Sequence, residues 1–299
     1  MSAPFVTAVV PSYNHARYVE GAVRSVLDQR GLDRPLEVVV VDDGSRDASP
    51  ELLRRLASED ARIRLELRAN RGISATFNRG LELARGEWVA YCCSDDRWHP
   101  DHLARAFAAL AQDPAAVVSY GRARLVDADD RVRTDEQLFV EDLTEREPLR
   151  RLLREGNGLC FVGAVFRRAA ALEAGGFDPE LVVLQDYDLW LKLARAGAAV
   201  HVLEPTVDFR WDGANASGPR ATVQKRLDAI RVLERALETF PELRDDHALR
   251  ESVVRRLIKS HVRVARRLPR ARRREHLQAA RRLGLPRLEH WLELARGLL

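Results

Sequence analysis

Six carboxylates sit where chemistry could be done. Asp42-Asp43 open an Asp-Asp-Gly-Ser turn after an apolar run, Ser94-Asp95-Asp96 closes another run, and Asp186 and Asp188 fall at the start of a helical pattern in Leu184-Gln185-Asp186-Tyr187-Asp188. Carboxylate pairs brought together repel one another unless a cation or hydrogen-bond donors lie between them. Mg²⁺ or Mn²⁺ carrying a nucleotide diphosphate would serve, because hard cations take oxygen ligands and need only one or two carboxylates beside phosphate and water. Taken singly, each group has a plainer reading. Asp-Asp-Gly-Ser is an ordinary turn, Ser94-Asp95-Asp96 ahead of Pro100 resembles helix capping, and a carboxylate in a first helical turn is favoured by the helix dipole. No GxGxxG follows the first apolar run and no GxxxxGK[ST] occurs, which disfavours a dinucleotide Rossmann site or a P-loop.

The elements that must position these groups alternate. Val6–Val10 and the β-branched run Leu36–Val41 read as strands buried on both faces, as in a parallel sheet. Between them Tyr18, Ala22, Val23, Val26 and Leu27 recur at helical spacing. Ser49-Pro50, read as cap and first-turn proline, opens a helix; Arg62–Leu67 reads as strand, Ile73–Ala84 as helix, Trp88–Cys93 as strand, and Ala116–Tyr120 as strand after a helix begun at Pro100. This alternation predicts βαβ units and a mostly parallel, Rossmann-like α/β sheet flanked by helices. From residue 121 the rhythm changes. Arg124–Val132 reads as a hairpin with an acidic turn, 148–154 as helix, Gly163–Arg167 as strand, Gly175-Gly176-Phe177-Asp178 as turn, Asp186–Ala196 as helix and Ala198–Leu203 as a late strand. Beyond a polar loop at 212–219 only helical patterns follow, broken near Pro241, Pro269 and Pro286.

Charge divides at the same place. The 299 residues carry +4 in all, but 220–299 hold 21 basic and 10 acidic residues, and the rest of the chain is correspondingly acidic. With 46% apolar and 31% charged residues the chain is neither disordered nor fibrous. No stretch approaches the roughly 18 apolar residues of a membrane span. The N-terminus reads as a first strand, not a signal peptide, and Cys92, Cys93 and Cys160 offer neither a CxxC nor a disulfide framework, which favours a reducing, cytoplasmic setting.

In combination the motifs are far more specific. "VVPSYNHARYVEGAVRSVLDQ", "LEVVVVDDGSRD", "NRGISATFNRGLELARGEWVAYCCSDDRWHPDHL", "GGFDPEL" and "QDYDLWLKLARAG", in this order, resemble the family 2 inverting glycosyltransferases of GT-A fold, which use nucleotide-activated sugars. The resemblance covers about 4–215. It implies a glycosyltransferase domain over 1–218, with a nucleotide-sugar half at about 1–120 and an acceptor half at about 121–218, followed by a basic helical extension at 219–299. By the same resemblance Pro11, Tyr13 and Asn14 lie beside the nucleobase, Asp43 accepts its imide N–H, and Asn70, Gly72 and Asn78 border the nucleotide. Asp95 faces the ribose or a metal, Asp96 holds the metal bridging the phosphates, and Asp186 is the general base. Relatives often carry an Asp where this chain has Cys93, a Glu where it has Gln185, and a His where it has Asp212.

The implied reaction is metal-dependent transfer of a sugar from a nucleotide-diphospho-sugar to a saccharide or lipid-linked acceptor, in cell-surface polysaccharide or glycolipid synthesis. Two alternatives stand beside it: a weak or inactive nucleotide-sugar-binding relative, suggested by Gln185 and Asp212, and a nucleotidyltransferase of related fold. The basic extension is compatible with peripheral contact at the inner face of an anionic membrane, and equally with self-association or packing. Nucleic acid is disfavoured, since no recognised module accompanies the charge.

Overall fold

The computed structural model describes residues 5–138, 148–211 and 222–284. The chain divides into two compact units, 1–215 and 216–299. In the first, β1 (Val6–Ser12), α1 (Val19–Leu27), β2 (Leu36–Asp42), α2 (Ser49–Glu59), β3 (Ile63–Leu67), α3 (Ile73–Leu83) and β4 (Trp88–Tyr91) alternate strictly. Every residue of β1 and all but the first of β2 are buried, which is why these strands are unbroken apolar runs. α1 turns Val19, Ala22, Val23 and Val26 inward, one face of a 3.6-residue period.

There follow β5 (Arg97–Trp98), α4 (His102–Leu110), β6 (Ala116–Val126), β7 (Val132–Leu138), α5 (Pro148–Glu155), a 3₁₀ turn (Phe161–Gly163), β8 (Val165–Arg167), α6 (Arg168–Glu173), α7 (Gln185–Ala196) and β9 (Ala198–Arg210). The strands form one mixed sheet in the order β3-β2-β1-β4-β8-β6-β9-β5, with β7 paired to β6. β1 runs parallel to β2 and β4, while β8 is inserted antiparallel between β4 and β6. Ser12 stands opposite Asp42 in the β1–β2 register, and Val9 opposite Tyr91 in the β1–β4 register. The turns after all three strands therefore open on one edge of the sheet.

Two local expectations are corrected. The helix at Ser49 begins on Ser49 itself; Ala48 occupies the cap position without a side-chain bond, and Asp47 accepts the Ser49 N–H at 3.0 Å. The late strand does not end at Leu203 but continues through Pro205 to Arg210. Proline is admitted because the register with β6 shifts there, pairing Val202 with Gly121 and Pro205 with Arg122, so the missing N–H falls at an irregularity in the ladder.

Under the strand ends Phe77, Tyr91, Phe161, Phe177 and Trp190 form a continuous aromatic cluster, with Phe77–Phe161 at 4.9 Å, Phe77–Phe177 at 5.0 Å and Phe161–Trp190 at 6.0 Å between ring centroids. It locks α7 to α3 and β4. The second unit consists of α8 (Thr222–Thr239), α9 (Glu242–Asp245), α10 (His247–Arg267) and α11 (Arg270–Arg282). Asp246 caps α10 by accepting the Leu249 N–H at 2.9 Å, and Ile258, Val262 and Ala280 form a small core between α10 and α11. No helix among the described residues is long and apolar enough to cross a membrane.

Candidate active site

The end of β1 is stitched to its neighbours by backbone bonds. The Pro11 carbonyl accepts the Ser94 N–H at 3.2 Å and the Ser12 carbonyl accepts the Asp43 N–H at 2.9 Å. Pro11 is buried and Tyr13 is 45% exposed, so the strand ends on an accessible aromatic ring. Asn14 adopts a left-handed φ of 54°, a conformation that asparagine tolerates better than most residues. Its Oδ1 accepts the Arg46 N–H at 2.8 Å, and its own N–H donates to Ser45 Oγ at 2.8 Å. Asp42 accepts both the N–H and the hydroxyl of Ser45. Residues 12–14 and 42–46 thus form one hydrogen-bonded rim.

Asp43 is buried and reaches across to the next segment. Its Oδ1 accepts the Arg71 N–H at 3.0 Å and its Oδ2 the Gly72 N–H at 2.8 Å, with Arg68 Nε 3.6 Å away. Gly44, at φ 79°, permits this approach, because a Cβ there would lie 2.7 Å from the Asn70 nitrogen. Asn70 and Gly72 are exposed on the tethered loop. A carboxylate oxygen has two lone pairs, so Asp43 keeps acceptor capacity beyond these bonds. Asn78 lies deeper on α3 and spends its amide on the turn before α7: Nδ2 donates to the Phe177 carbonyl at 2.7 Å and Oδ1 accepts the Phe177 N–H at 2.8 Å.

After β4, Asp96 is buried and Asp95 keeps a side-chain exposure of 18%. Burial pushes the Asp96 carboxyl well above the ordinary range and the charge of Asp95 adds to the rise, while the Arg210 N–H, donating to Asp96 Oδ1 at 2.9 Å, opposes it. His15 Nδ1 lies 2.8 Å from Ser94 Oγ and 3.8 Å from Asp95 Oδ1. The buried Arg210 side chain organises the surroundings: Nε donates to the Asp95 carbonyl at 2.8 Å, the guanidinium bonds the Asp127 carbonyl and the Asp130 carboxylate, and its carbon lies 4.2 Å from the Tyr18 ring centroid. The metal expectation can be tested against this donor set. No group of three or more His, Cys, Asp or Glu side chains converges as a cage among the described residues. Two adjacent carboxylates, one with its ionised form disfavoured by burial and by its neighbour's charge, fit a cation whose remaining ligands come from phosphate and water.

Asp186 lies in the first turn of α7. Its Oδ2 accepts Asn157 Nδ2 at 2.8 Å and its Oδ1 accepts the Tyr187 N–H at 2.7 Å. Asp188 instead pairs with Lys192 at 2.6 Å, an intrahelical ion pair. Gln185 is buried, where a glutamate would have added a like charge beside Asp186. Cys160 is buried, and burial drives its thiol up to about 12. Trp98 is a core residue, its Nε1 donating to the Val162 carbonyl at 3.0 Å. His201 stacks on Tyr120 at 4.7 Å. Asp212 and its loop lie outside the described residues. Asn157, in a Gly-Asn-Gly run, gives little signal in the sequence, and the arginine that heads the segment before Asp212 gives no sign that its side chain returns to Asp95.

An open, largely parallel sheet whose acidic strand ends share an edge, closed by a carboxylate-headed helix, is the GT-A arrangement. The model of glycosyl transferase family 2 matches residues 7–174, and the chain belongs to that family. The succinoglycan biosynthesis protein ExoO of Rhizobium meliloti (strain 1021) is 34% identical over 247 residues, 79% of this chain and 68% of that protein. Solved structures agree on the fold. S. aureus TarS 1–349 in complex with UDP superposes with a TM-score of 0.64 at 17% identity, over 86% of this chain and 72% of that one. The mannosyltransferase PcManGT of Pyrobaculum calidifontis, in complex with GDP-Man and Mn²⁺, gives 0.58 at 23% identity, over 100% of this chain and 81% of that one.

Proposed function

We propose that this glycosyltransferase moves a sugar from a nucleotide-diphospho-sugar to an acceptor hydroxyl with inversion at the anomeric carbon, in the synthesis of a cell-surface polysaccharide or glycolipid. The observation that carries the reading is a family 2 chain with adjacent carboxylates, Asp95 and Asp96, in the turn after β4 and a carboxylate held by Asn157, Asp186, in the first turn of α7. Family membership, the succinoglycan role in the name of one relative, and the nucleotide ligands of the two solved structures support it.

In this reading Pro11, Tyr13 and Asn14 receive the base, with Asp43 and the loop carrying Asn70 and Gly72. Asn78 acts from beneath by holding α3 to the Phe177 turn. Asp186 accepts the proton of the acceptor hydroxyl as its oxygen bonds the anomeric carbon and the bond to the diphosphate breaks on the opposite side. Hydrogen bonds to both Asp186 oxygens, from Asn157 Nδ2 and the Tyr187 N–H, fix the orientation of its carboxylate. Asp95 and Asp96 would hold Mg²⁺ or Mn²⁺, which when bound neutralises charge on the departing diphosphate. We assign the transfer to 1–218, and place it in the cytoplasm or at the inner face of the membrane on a saccharide or lipid-linked acceptor.

Release of nucleoside diphosphate from a panel of sugar donors, with and without Mn²⁺, tests the proposal. Asp186→Asn should lower kcat by about 10²–10⁴-fold while leaving nucleotide binding intact. Asp96→Ala should abolish the Mn²⁺ dependence of that binding. Turnover indifferent to Asp186→Asn would remove the base, and metal-independent binding that survives Asp96→Ala would remove the metal site.

A further inference from the structure

Arg210, the last residue of β9, is 1% exposed, and a guanidinium taken so far from water needs its donors filled. Its Nε donates to the Asp95 carbonyl at 2.8 Å, and its two terminal nitrogens donate to the Asp127 carbonyl and the Asp130 carboxylate in the turn between β6 and β7. Its main-chain N–H donates to Asp96 Oδ1 at 2.9 Å. One residue therefore holds the main chain of Asp95 and the side chain of Asp96. The turn that receives it is closed on itself. Asp127 Oδ1 accepts the N–H groups of Asp129 and Arg131 at 2.8 and 3.0 Å, and Asp130, at a left-handed φ of 63°, also pairs with Arg97 at 3.0 Å. The β6–β9 register sets Arg210 opposite Val126, whose carbonyl accepts the Trp211 N–H at 2.9 Å.

A buried ion pair adds little over well-packed apolar side chains, so stability alone gives no reason for a guanidinium here. Its rigid fork of donors does what neither an apolar side chain nor a lysine can, bonding separate segments in fixed directions. Asp95 and Asp96 lie beyond the end of β4 and belong to no strand, so their arrangement depends on such bonds. We infer that Arg210 is a positioning residue of the transfer site. Through the Asp95 carbonyl and the Asp96 carboxylate it holds both acids in one arrangement before a divalent cation binds, with the β6–β7 turn as its outer support. The inference rests on the proposed assignment of Asp95 and Asp96 to Mg²⁺ or Mn²⁺ and adds the residue that sets the geometry of that site.

The test measures metal affinity on the full chain, by titrating Mn²⁺ and following the paramagnetic resonance signal of the free ion. UDP or GDP, whichever binds the wild type more tightly, is present below the protein concentration. Nucleotide affinity without metal and the metal-free thermal midpoint are read alongside. Arg210→Lys keeps the charge and the main-chain N–H but loses the fork, and should weaken Mn²⁺ by about tenfold or more while metal-free nucleotide affinity stays within about twofold. Asp130→Asn, at a side chain 43% exposed, removes only the outer support and carries the test if R210K does not fold. It should weaken Mn²⁺ by about threefold or more with the midpoint little changed. Arg17→Gln breaks the neighbouring Arg17–Asp129 pair at 2.6 Å and should leave Mn²⁺ affinity as it is. Mn²⁺ affinity within about twofold of the wild type in each of R210K and D130N that folds would make Arg210 a structural residue and overturn the inference. Loss of Mn²⁺ binding in Asp96→Ala would then leave the metal assignment standing. Mn²⁺ binding that survives Asp96→Ala would instead remove the metal site and the inference together.

Discussion

Asn157 converts Asp186 from a first-turn carboxylate into an aimed one. A hydrogen bond to an ionised group is worth about 1.5–3 kcal/mol, and the Asn157–Asp186 bond acts on the atom proposed to take the proton. Asn157→Ala should therefore lower kcat by about tenfold or more with KM little changed, measured by steady-state release of nucleoside diphosphate. Unchanged kcat would restrict Asn157 to shaping its loop. His102 exerts a different single-residue effect, on stability. Its ring packs at a tilt against Trp98, 4.5 Å between centroids, with Nδ1 3.0 Å from Thr206 Oγ1, and burial pulls its pKa down to about 3, the charge of His99 adding. In the unfolded chain the imidazole titrates near 6.5. Between those values the unfolded state binds a proton that the native state refuses, so this contribution is intact above pH 6.5 and is lost as pH falls toward 3. At pH 5 the loss is about 2 kcal/mol. His102→Gln cannot titrate, so urea unfolding at pH 5 and 7.5 should show the wild type losing about that much more than the variant. A wild-type-minus-variant difference independent of pH would mean that the folded protein accommodates the imidazolium.

At the scale of elements, α3 is the member that joins the rim around Asp43 to the turn ahead of α7. Its N-terminus carries the loop tethered by Asp43, and its middle carries Asn78, which pairs with both backbone groups of Phe177. The turn it clamps has Gly175 and Gly176 at φ 80° and 66°, and a Cβ on Gly176 would stand 2.5 Å from Asn78 Oδ1. Asn78→Ala leaves two backbone groups unpartnered and should cost about 2–4 kcal/mol in urea unfolding. A cost near zero would mean that the turn holds itself. The same elements explain what could be read in advance. Parallel strands buried on both faces write continuous apolar runs, so β1, β2 and β4 were legible, and with them the positions of Asp43, Asp95 and Asp96. β5, with only two residues, was too short to show a period. Pro205 hid the continuity of β9, and with it the route by which Arg210 returns to Asp95 and Asp96. Partners of the carboxylates were invisible because Asn157 and Arg210 are distant from them in sequence and carry no motif of their own.

At the scale of the molecule, the charge asymmetry coincides with the division into units. The acidic strand ends belong to residues 1–215 and the excess of basic residues to 216–299, and each unit closes a core of its own. A chain with two cores need not unfold in one step. Four of its five tryptophans, Trp88, Trp98, Trp190 and Trp211, lie in the first unit, whereas α8, α10 and α11 contribute much of the helix. Urea unfolding followed by tryptophan fluorescence should report chiefly the first unit, and far-ultraviolet circular dichroism should lose part of its helical signal in a separate transition. Ligands provide the decisive comparison. A ligand at about a hundred times its Kd stabilises the state that binds it by about 2.7 kcal/mol. Nucleoside diphosphate with Mn²⁺ should move the fluorescence transition alone. If that ligand moved both transitions equally, the two units would be a single cooperative body, and the basic extension would have to be counted as part of the first unit's own stability.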